Sequence, residues 1–474
     1  MSSVLITNTY FYPLDRKQWR EGQPYPPYGT LSAAAMLEND YQVIFYDNSL
    51  ESSTRALVKR MDVTKPDYLV IYDDGFNYLT KMCLTVMRKA AFEMITAANK
   101  VKVPVLISSS DSTDHFDLYL SHGADFVLLG EGEITLLETL QKLQSNTSVR
   151  EVKGLVWRSN GDIIRNEPRG VLIDLDGLPD PAWHLVDLAP YRKIWQGLHG
   201  YFSLNLATTR GCPFKCNWCA KPIYGNRYNV RSPERVVAEI RYLQETFQVN
   251  HFWFCDDIFG LKPGWVQKFS KLLTEQSMHI SYKIQSRVDL LVKQDTIDAL
   301  VQSGVRTIWV GAESGSQKIL DAMDKGTTTS QIFEATQILK KRGVEVCFFL
   351  QFGYLGETKE DIQETLMMIS KLMPNDIGVS ISYPLPGTKF HEQVKSQLSE
   401  KQNWTDSDDL AMMYKGTFSP AYYKRLHRYV HKFFRTRQIL AKPVWQLTIR
   451  QILLLFYYGS MSLFDRLRLR LLED

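Results

Sequence analysis

The chain has too few cysteines for a disulfide framework: six in 474 residues, three of them crowded into one short stretch. Cys83, Cys255 and Cys347 are scattered, and with a thiolate cluster elsewhere this argues for a reducing, cytoplasmic setting. Long apolar runs are missing too. Ile452–Tyr458, the longest unbroken one near the C-terminus, falls far short of the ~20 residues a spanning helix needs. The first residues read as a strand, with neither a basic leader nor a cleavable apolar segment, so no signal peptide is expected. Charge of one sign is not in excess: the net value of +4 gives no global nucleic-acid character, and no nucleic-acid partner is expected. There is no low-complexity tract, and 44% hydrophobic with 23% charged residues is the balance of a globular chain, long enough for two or three domains.

What the chain does have is Thr208-Thr209-Arg210-Gly211-Cys212-Pro213-Phe214-Lys215-Cys216-Asn217-Trp218-Cys219, placed just after the apolar run Tyr201–Ala207. Its C-x3-C-x2-C spacing can hold a metal centre with three thiolates and leave one coordination position free. An iron–sulfur cluster with an open iron does chemistry, whereas a fully ligated one mainly carries electrons. A zinc knuckle, or three cysteines packed as small apolar residues, would leave the same pattern. Gly211 and Pro213 suit a tight ligand loop better than a core helix.

Residues 1–148 alternate short apolar strands with helical periodicity. Val4–Thr7, Val43–Tyr46, Tyr68–Tyr72, Val105–Ser108 and Phe126–Leu129 read as the strands of a doubly wound, Rossmann-like parallel sheet. Helical stretches Thr30–Leu37, Thr54–Met61, Lys81–Asn99, Thr113–His122 and Ile134–Leu143 fall between and after them. Ligands of such sheets sit at the carboxyl ends of the strands. No G-x-G-x-x-G follows the first strand, so a dinucleotide is disfavoured. Gly130-Glu131-Gly132-Glu133 is either a ligand loop or a tight turn that gives the next helix a first-turn acid. Pro24-Tyr25-Pro26-Pro27-Tyr28-Gly29 predicts a rigid aromatic edge beside the same crevice.

Residues 149–200 form a connector: a hairpin around Ser159-Asn160-Gly161, then a proline-rich apolar stretch that packs across both neighbours. Over 201–398 the alternation resumes with strands Leu204–Thr208, His251–Cys255, Ser281–Gln285, Thr307–Val310, Val344–Gln351 and Ile377–Tyr383, each followed by a helical stretch. Six such units predict a partial (β/α)6 barrel whose functional groups come from the strands' carboxyl ends. At those ends stand the cysteine loop, Cys255-Asp256-Asp257, Ser286–Asp289, Gly311–Gly315, Gly353–Glu357 and Pro384–Gly387. Any one of these residues could be a cap or an ion-pair partner, but together they load one rim.

Thr208–Cys219, with Trp218 directly before the last cysteine, then Gly311-Ala312-Glu313-Ser314-Gly315 and Pro384–Thr388, resemble the radical S-adenosylmethionine (SAM) pattern over most of 200–390. Pro27-Tyr28-Gly29-Thr30-Leu31, Asp47 and the 129–133 loop are similar to the cobalamin-binding domain that precedes such cores, and Leu175–Trp183 to the segment joining the two. The resemblance implies a [4Fe–4S] cluster on Cys212, Cys216 and Cys219, with SAM on the fourth iron. It implies that SAM touches Trp218, Asp256 or Asp257, Ser286, Glu313, Gly353 and Gly356; the glycine pair the family keeps near the acids is missing here. Cobalamin would lie against Tyr28, Gly29, Ser108, Gly130, Glu131 and Gly132. D-x-H-x-x-G is absent, and the segment's only histidines are His115 and His122, so a base-off form without histidine on cobalt is implied.

The activity implied is methyl transfer to an unactivated carbon by way of a 5′-deoxyadenosyl radical and methylcobalamin. Cyclisation, oxidation or rearrangement without methyl transfer is the alternative, and a non-catalytic iron–sulfur or zinc protein a distant one. The implied partners are a small-molecule or lipid-like substrate and a flavodoxin- or ferredoxin-type electron donor. Cys255 reads as a radical hydrogen donor or as a buried strand-end cysteine. Residues 399–474 are expected to be mainly helical, with Ala421–Ile439 and Val444–Leu472 interleaving basic and aromatic residues. They read as a lid with its basic face in water, or as interfacial helices that touch anionic lipid or grip an apolar substrate; RNA contact ranks third.

Overall fold

In a computed structural model the chain is described over residues 1–221, 223–398 and 400–472. Strands β1 (Ser3–Thr7), β2 (Gln42–Tyr46), β3 (Tyr68–Tyr72), β4 (Val105–Ser108) and β5 (Phe126–Leu128) are parallel, in the order β2-β1-β3-β4-β5. Successive residues point to opposite faces, and both faces are apolar. Leu5, Leu69, Ile71, Val105 and Ile107 pack with the helices Arg55–Thr64 and Thr85–Lys100. Val4, Ile6, Val70 and Leu106 pack with Tyr28–Ala35 and Glu133–Gln144. A sheet covered on both faces is the doubly wound arrangement that the alternation predicts.

Two features differ from expectation. The hairpin β6 (Leu155–Ser159) and β7 (Asp162–Arg165), expected within the connector, pairs antiparallel with β5 and extends this sheet to seven strands. Leu155 and Val156 are buried on opposite faces, so the hairpin closes an edge that would otherwise expose free backbone groups. The helix expected from Lys81 begins at Thr85; Thr80–Met82 is a separate short turn, Cys83 has φ +54 and Leu84 is extended. That break frees the Lys81 side chain to leave its own domain.

The second sheet starts with β8 (Ser203–Leu206), after which a small antiparallel pair, β9 (Thr209–Arg210) and β10 (Asn229–Val230), pinches the base of the cysteine loop. Strands β11 (His251–Phe254), β12 (Ser281–Ser286), β13 (Val305–Glu313), β14 (Glu345–Phe352) and β15 (Asp376–Ile381) then add in sequence order, giving six parallel strands. This is the partial barrel. Its outer residues share one core with Tyr10, Tyr12, Tyr28, Phe76 and Met82 from the first domain's strand-end loops, so an apolar layer joins the two units.

Gln23–Pro26 lodges against strand residues of the barrel. Asn205 donates to the Pro26 carbonyl (3.0 Å), Trp195 donates to that of Pro24 (2.7 Å), and the Tyr25 and Ser203 hydroxyls bond at 3.2 Å. Lys283 on β12 donates to Gln23 (3.2 Å) and lies over the rings of Tyr25 and Trp253, and burial lowers its pKa to about 8.

The helix Pro420–Leu440 runs along β15, the sheet's end strand, with Arg435 bonded to Asp376 at 2.9 Å. The helix Ile449–Arg470 folds back on it, and the buried Asp465 accepts from Arg425 and Lys432, both at 2.7 Å. Asn403, Trp404 and Ser407, all buried, strap the segment before the helix Pro420–Leu440 to the first domain. Asn403 donates to the Cys83 carbonyl (2.6 Å) and Ser407 to Asp15 (2.7 Å), both in the first domain. Among the described residues no helix is long and apolar enough to cross a membrane.

Candidate active site

The strand ends of the two sheets face each other. Arg210, two residues before Cys212, crosses from the barrel to the first domain and pairs with Glu131 (3.0 Å) and Glu133 (2.8 Å). All three side chains are at least 93% buried. Arg210 also lies against the neighbouring rings of Phe76 and Tyr224, each 5.5 Å away. The return link is Lys81, which leaves the first domain to pair with Asp257 after β11 at 2.5 Å. Lys81 feels the sulfurs of Cys219 and Cys255, and Asp257 those of Cys212 and Cys219, so this ion pair borders the cysteine loop. Close packing leaves a cavity of about 30 Å3 among Tyr28, Phe76, Glu133, Arg210 and Arg231, room for one water.

The cysteine loop is held from several sides. Gly211 has φ +79, and a Cβ there would come within 2.6 Å of the Arg227 carbonyl, so the position demands glycine. Lys221 donates to the Phe214 carbonyl and, at 2.8 Å, to Asn226. The Arg287 guanidinium stacks 3.6 Å from the centre of the Phe214 ring and donates to the Lys325 carbonyl at 3.0 Å. Asn217 is the most heavily used residue of the loop. Its backbone N–H donates to Met323 (3.0 Å), its amide donates to Ala322 (2.6 Å), and it accepts from the Tyr354 hydroxyl (2.7 Å) and the Phe390 N–H (3.0 Å). Thus the segments after β13 and β14 hold the Asn217 side chain, and those after β13 and β15 hold its backbone, fixing one residue between Cys216 and Trp218.

The strand-end residues expected to meet SAM divide into two groups. Asp256 is fully enclosed: it accepts from the backbone of Thr208 (2.7 Å) and Thr209 (2.9 Å) and from the Thr208 hydroxyl, and burial pushes it up to about 7. It braces the entry to the cysteine loop. Ser286 donates to the Phe259 carbonyl (3.1 Å), and the Gly353 N–H to the buried Glu357 (2.7 Å); desolvation raises Glu357 to about 8. Gly356 accepts from Lys318 (3.0 Å).

Around the cysteines themselves stand Asp257, Glu313 and Trp218. Glu313 has φ +55 at a bulge ending β13 and pairs with Lys325 at 2.7 Å, and Lys325 feels Cys216. The indole N–H of Trp218 is buried with no partner. Cys255 is buried, its thiol directed at the Leu206 carbonyl at 3.4 Å, with a pKa raised by burial.

The residues expected at cobalamin cluster along the first sheet's strand ends. The Tyr28 hydroxyl accepts from Arg231 (3.1 Å), and the Gly29 N–H donates to Asp74 (3.0 Å). Glu131 is tied to Arg210 and, through its second oxygen, accepts from the Leu172 N–H at 2.6 Å. Gly132 and Ser108 press together: a Cβ on Gly132 would lie 2.7 Å from the Ser108 hydroxyl and 3.0 Å from the Tyr72 ring. Gly132→Ala is therefore expected to cost about 1–3 kcal/mol by overpacking. Urea melts check this, and Ser108→Ala in the same chain should restore part of the loss. Gly130, with φ +67, has only the Ile223 carbonyl oxygen near a Cβ position, at 3.6 Å. His115 lies 3.9 Å from Asp111, and His122 stacks on Phe92.

Sequence reasoning missed Arg210, Lys81, Asn217 and Lys325 as site residues. Arg210 and Asn217 belong to the recognised stretch, Arg210 two residues before its first cysteine and Asn217 between its second and third. Lys81 and Lys325 carry no local signal.

Residues 206–369 match the Radical SAM superfamily model. The chain is 26% identical over 436 residues to an uncharacterised methyltransferase of Pyrococcus horikoshii, covering 89% of this chain and 90% of that one. It is 26% identical over 324 residues to the anaerobic magnesium-protoporphyrin IX monomethyl ester cyclase of Synechocystis, covering 67% of this chain and 63% of the cyclase. Its fold matches the cobalamin-dependent SAM radical enzyme OxsB with aqua-cobalamin bound, at a TM-score of 0.74 and 15% identity, over 99% of this chain and 72% of OxsB.

The residues present fit the groups that such a domain implies. Cys212, Cys216 and Cys219 are free and partly exposed on one clamped loop. Among the described residues no three His, Cys, Asp or Glu side chains converge on a single-ion site. A cubane takes each thiolate to a different iron, so its ligands stand farther apart than those of one ion. The unpartnered Trp218 N–H adds a buried polar atom in want of an acceptor beside the loop. On the facing rim, Asn48 and Ser110, after β2 and β4, also have unpartnered buried polar atoms. Residues 206–369 are a radical SAM domain, and the whole chain has the fold of a cobalamin-dependent radical SAM enzyme.

Proposed function

We propose that this chain transfers a methyl group to an unactivated carbon of a small-molecule substrate, in a cobalamin-dependent radical SAM reaction. The observation that carries the reading is the opposition of the two strand-end rims, locked by Arg210 in one direction and Lys81 in the other. The methyltransferase relative shares nearly its whole length with this chain and the cyclase about two thirds, which favours methyl transfer over cyclisation. When bound, the cluster supplies one electron to SAM, and cobalamin carries the methyl group.

The protein's share is placement and exclusion of water. Cys212, Cys216 and Cys219 hold the cluster, and the Asn217 contacts keep their loop from shifting. Asp257 and Glu313 border the cysteines and are assigned to SAM; Asp256 is the brace beneath them. The buried group of Phe76, Arg210 and Tyr224 keeps solvent out where the two strand-end rims meet. The electron comes from an external flavodoxin- or ferredoxin-type donor in a reducing, cytoplasmic compartment.

Reconstitution under anaerobic conditions tests this without knowledge of the substrate. With dithionite and SAM the protein should release 5′-deoxyadenosine. With reduced hydroxocobalamin and SAM it should release S-adenosylhomocysteine, one equivalent per cobalamin. 5′-Deoxyadenosine without any S-adenosylhomocysteine would move the assignment to cyclisation or rearrangement. Zinc in place of iron, with no cleavage of SAM, would remove the enzyme reading altogether.

A further inference from the structure

The helix Ile449–Arg470 is apolar on two sides, and only one side is used. Its inward residues pack on Pro420–Leu440. On the other side Ile449, Leu453, Phe456, Leu463 and Leu467 recur at three-, four- and seven-residue steps, which stacks them on one face. That face is open to solvent: Leu453 is 65% exposed and Phe456 73%, and Trp445 in the turn before the helix is 86% exposed. At 100° per residue, Arg466 and Arg470 flank this stripe on one side and Arg450 and Arg468 on the other, all exposed. Every charged residue of Pro420–Leu472 is Lys or Arg except Asp465, and Asp465 is buried between Arg425 and Lys432.

We propose that this outer face docks on an anionic lipid bilayer, the helix lying in the interface with its leucines and Phe456 among the acyl chains. Charge selects the occupant. A second copy docked through this face would bring its own arginines against these, whereas phosphate headgroups complement them on both flanks. The arrangement is that of an interfacial helix, with apolar side chains inward and long basic ones reaching back to the headgroups. Trp445 and Tyr457, both exposed, sit where amphipathic rings favour the headgroup level. The helix lies on the bilayer rather than through it, because the arginines of its last turns interrupt the apolar stretch.

Flotation of the full chain with vesicles tests this and excludes pelleting by simple aggregation. Vesicles of phosphatidylcholine with phosphatidylglycerol should carry the protein upward, and phosphatidylcholine alone should carry about tenfold less. Leu453→Glu with Phe456→Glu should reduce flotation by about tenfold or more while leaving the thermal melt unchanged, since both side chains are exposed. Arg466→Gln with Arg468→Gln should lower it and weaken its salt dependence. Absence of flotation with anionic vesicles would overturn the proposal. So would flotation indifferent to the two glutamates, or a dimer that these glutamates dissolve; the last would assign the face to a second copy.

Discussion

Arg210→Leu is expected to destabilise the protein by about 3–5 kcal/mol, because it strands two buried carboxylates. Glu131 and Glu133 together face one guanidinium, and burial already raises Glu131. Arg210 opposes that rise, so without it the folded-state pKa of Glu131 would lie further above its unfolded value. A group with a raised folded pKa stabilises below its unfolded pKa and loses that contribution as pH rises. The defect should therefore be smaller near pH 5 than near pH 8. Adding Glu131→Gln and Glu133→Gln to Arg210→Leu should recover much of the loss, since no charge is then left unpaired. Denaturant midpoints of the wild type, Arg210→Leu and the triple variant at the two pH values check this. A loss independent of pH and untouched by the glutamines would show that Arg210 acts through packing on Phe76 and Tyr224 alone.

Cys216→Ala is expected to abolish release of 5′-deoxyadenosine. Three thiolates anchor three irons, and two are too few to hold a cluster whose fourth iron must stay open to SAM. The side chain is partly exposed, so its removal leaves no core cavity, and the melt of the cluster-free protein should be unchanged. Iron content, the visible absorbance of the reconstituted protein and SAM cleavage are read on the same sample. Retained iron with retained cleavage would take Cys216 out of the ligand set.

Both substitutions concern one loop, and that loop was the most legible part of the sequence. Its cysteine spacing carries chemistry within eight residues, and the six strands of the barrel repeat with a period that hydrophobic alternation makes plain. Asp256 was harder. From its position it resembles a ligand to SAM; in the fold it turns inward to Thr208 and Thr209. Strand position says which end of a sheet a residue occupies but not whether neighbouring N–H groups claim its oxygens. Lys81 and Arg210 were out of reach for another reason. Their partners lie 176 and 79 residues away, and no local pattern encodes a contact that exists only after two domains have met. The tail could be read as basic and aromatic, yet which of its faces stays uncovered depends on where the helix Pro420–Leu440 lies.

The arm Gln23–Pro26 bears on how the chain comes into being. It leaves the ribosome long before β8, and more than 250 residues before Lys283 takes hold of Gln23. The barrel strands that contact it therefore assemble around a peg already tethered to a finished sheet. Tyr25, Asn205 and Trp195 make the first domain a template for the second. A barrel expressed from residue 201 onward would have to fill that space with water, and should be recovered as an insoluble or expanded species. Co-expression with residues 1–200 as a separate chain would then supply the missing wedge in trans.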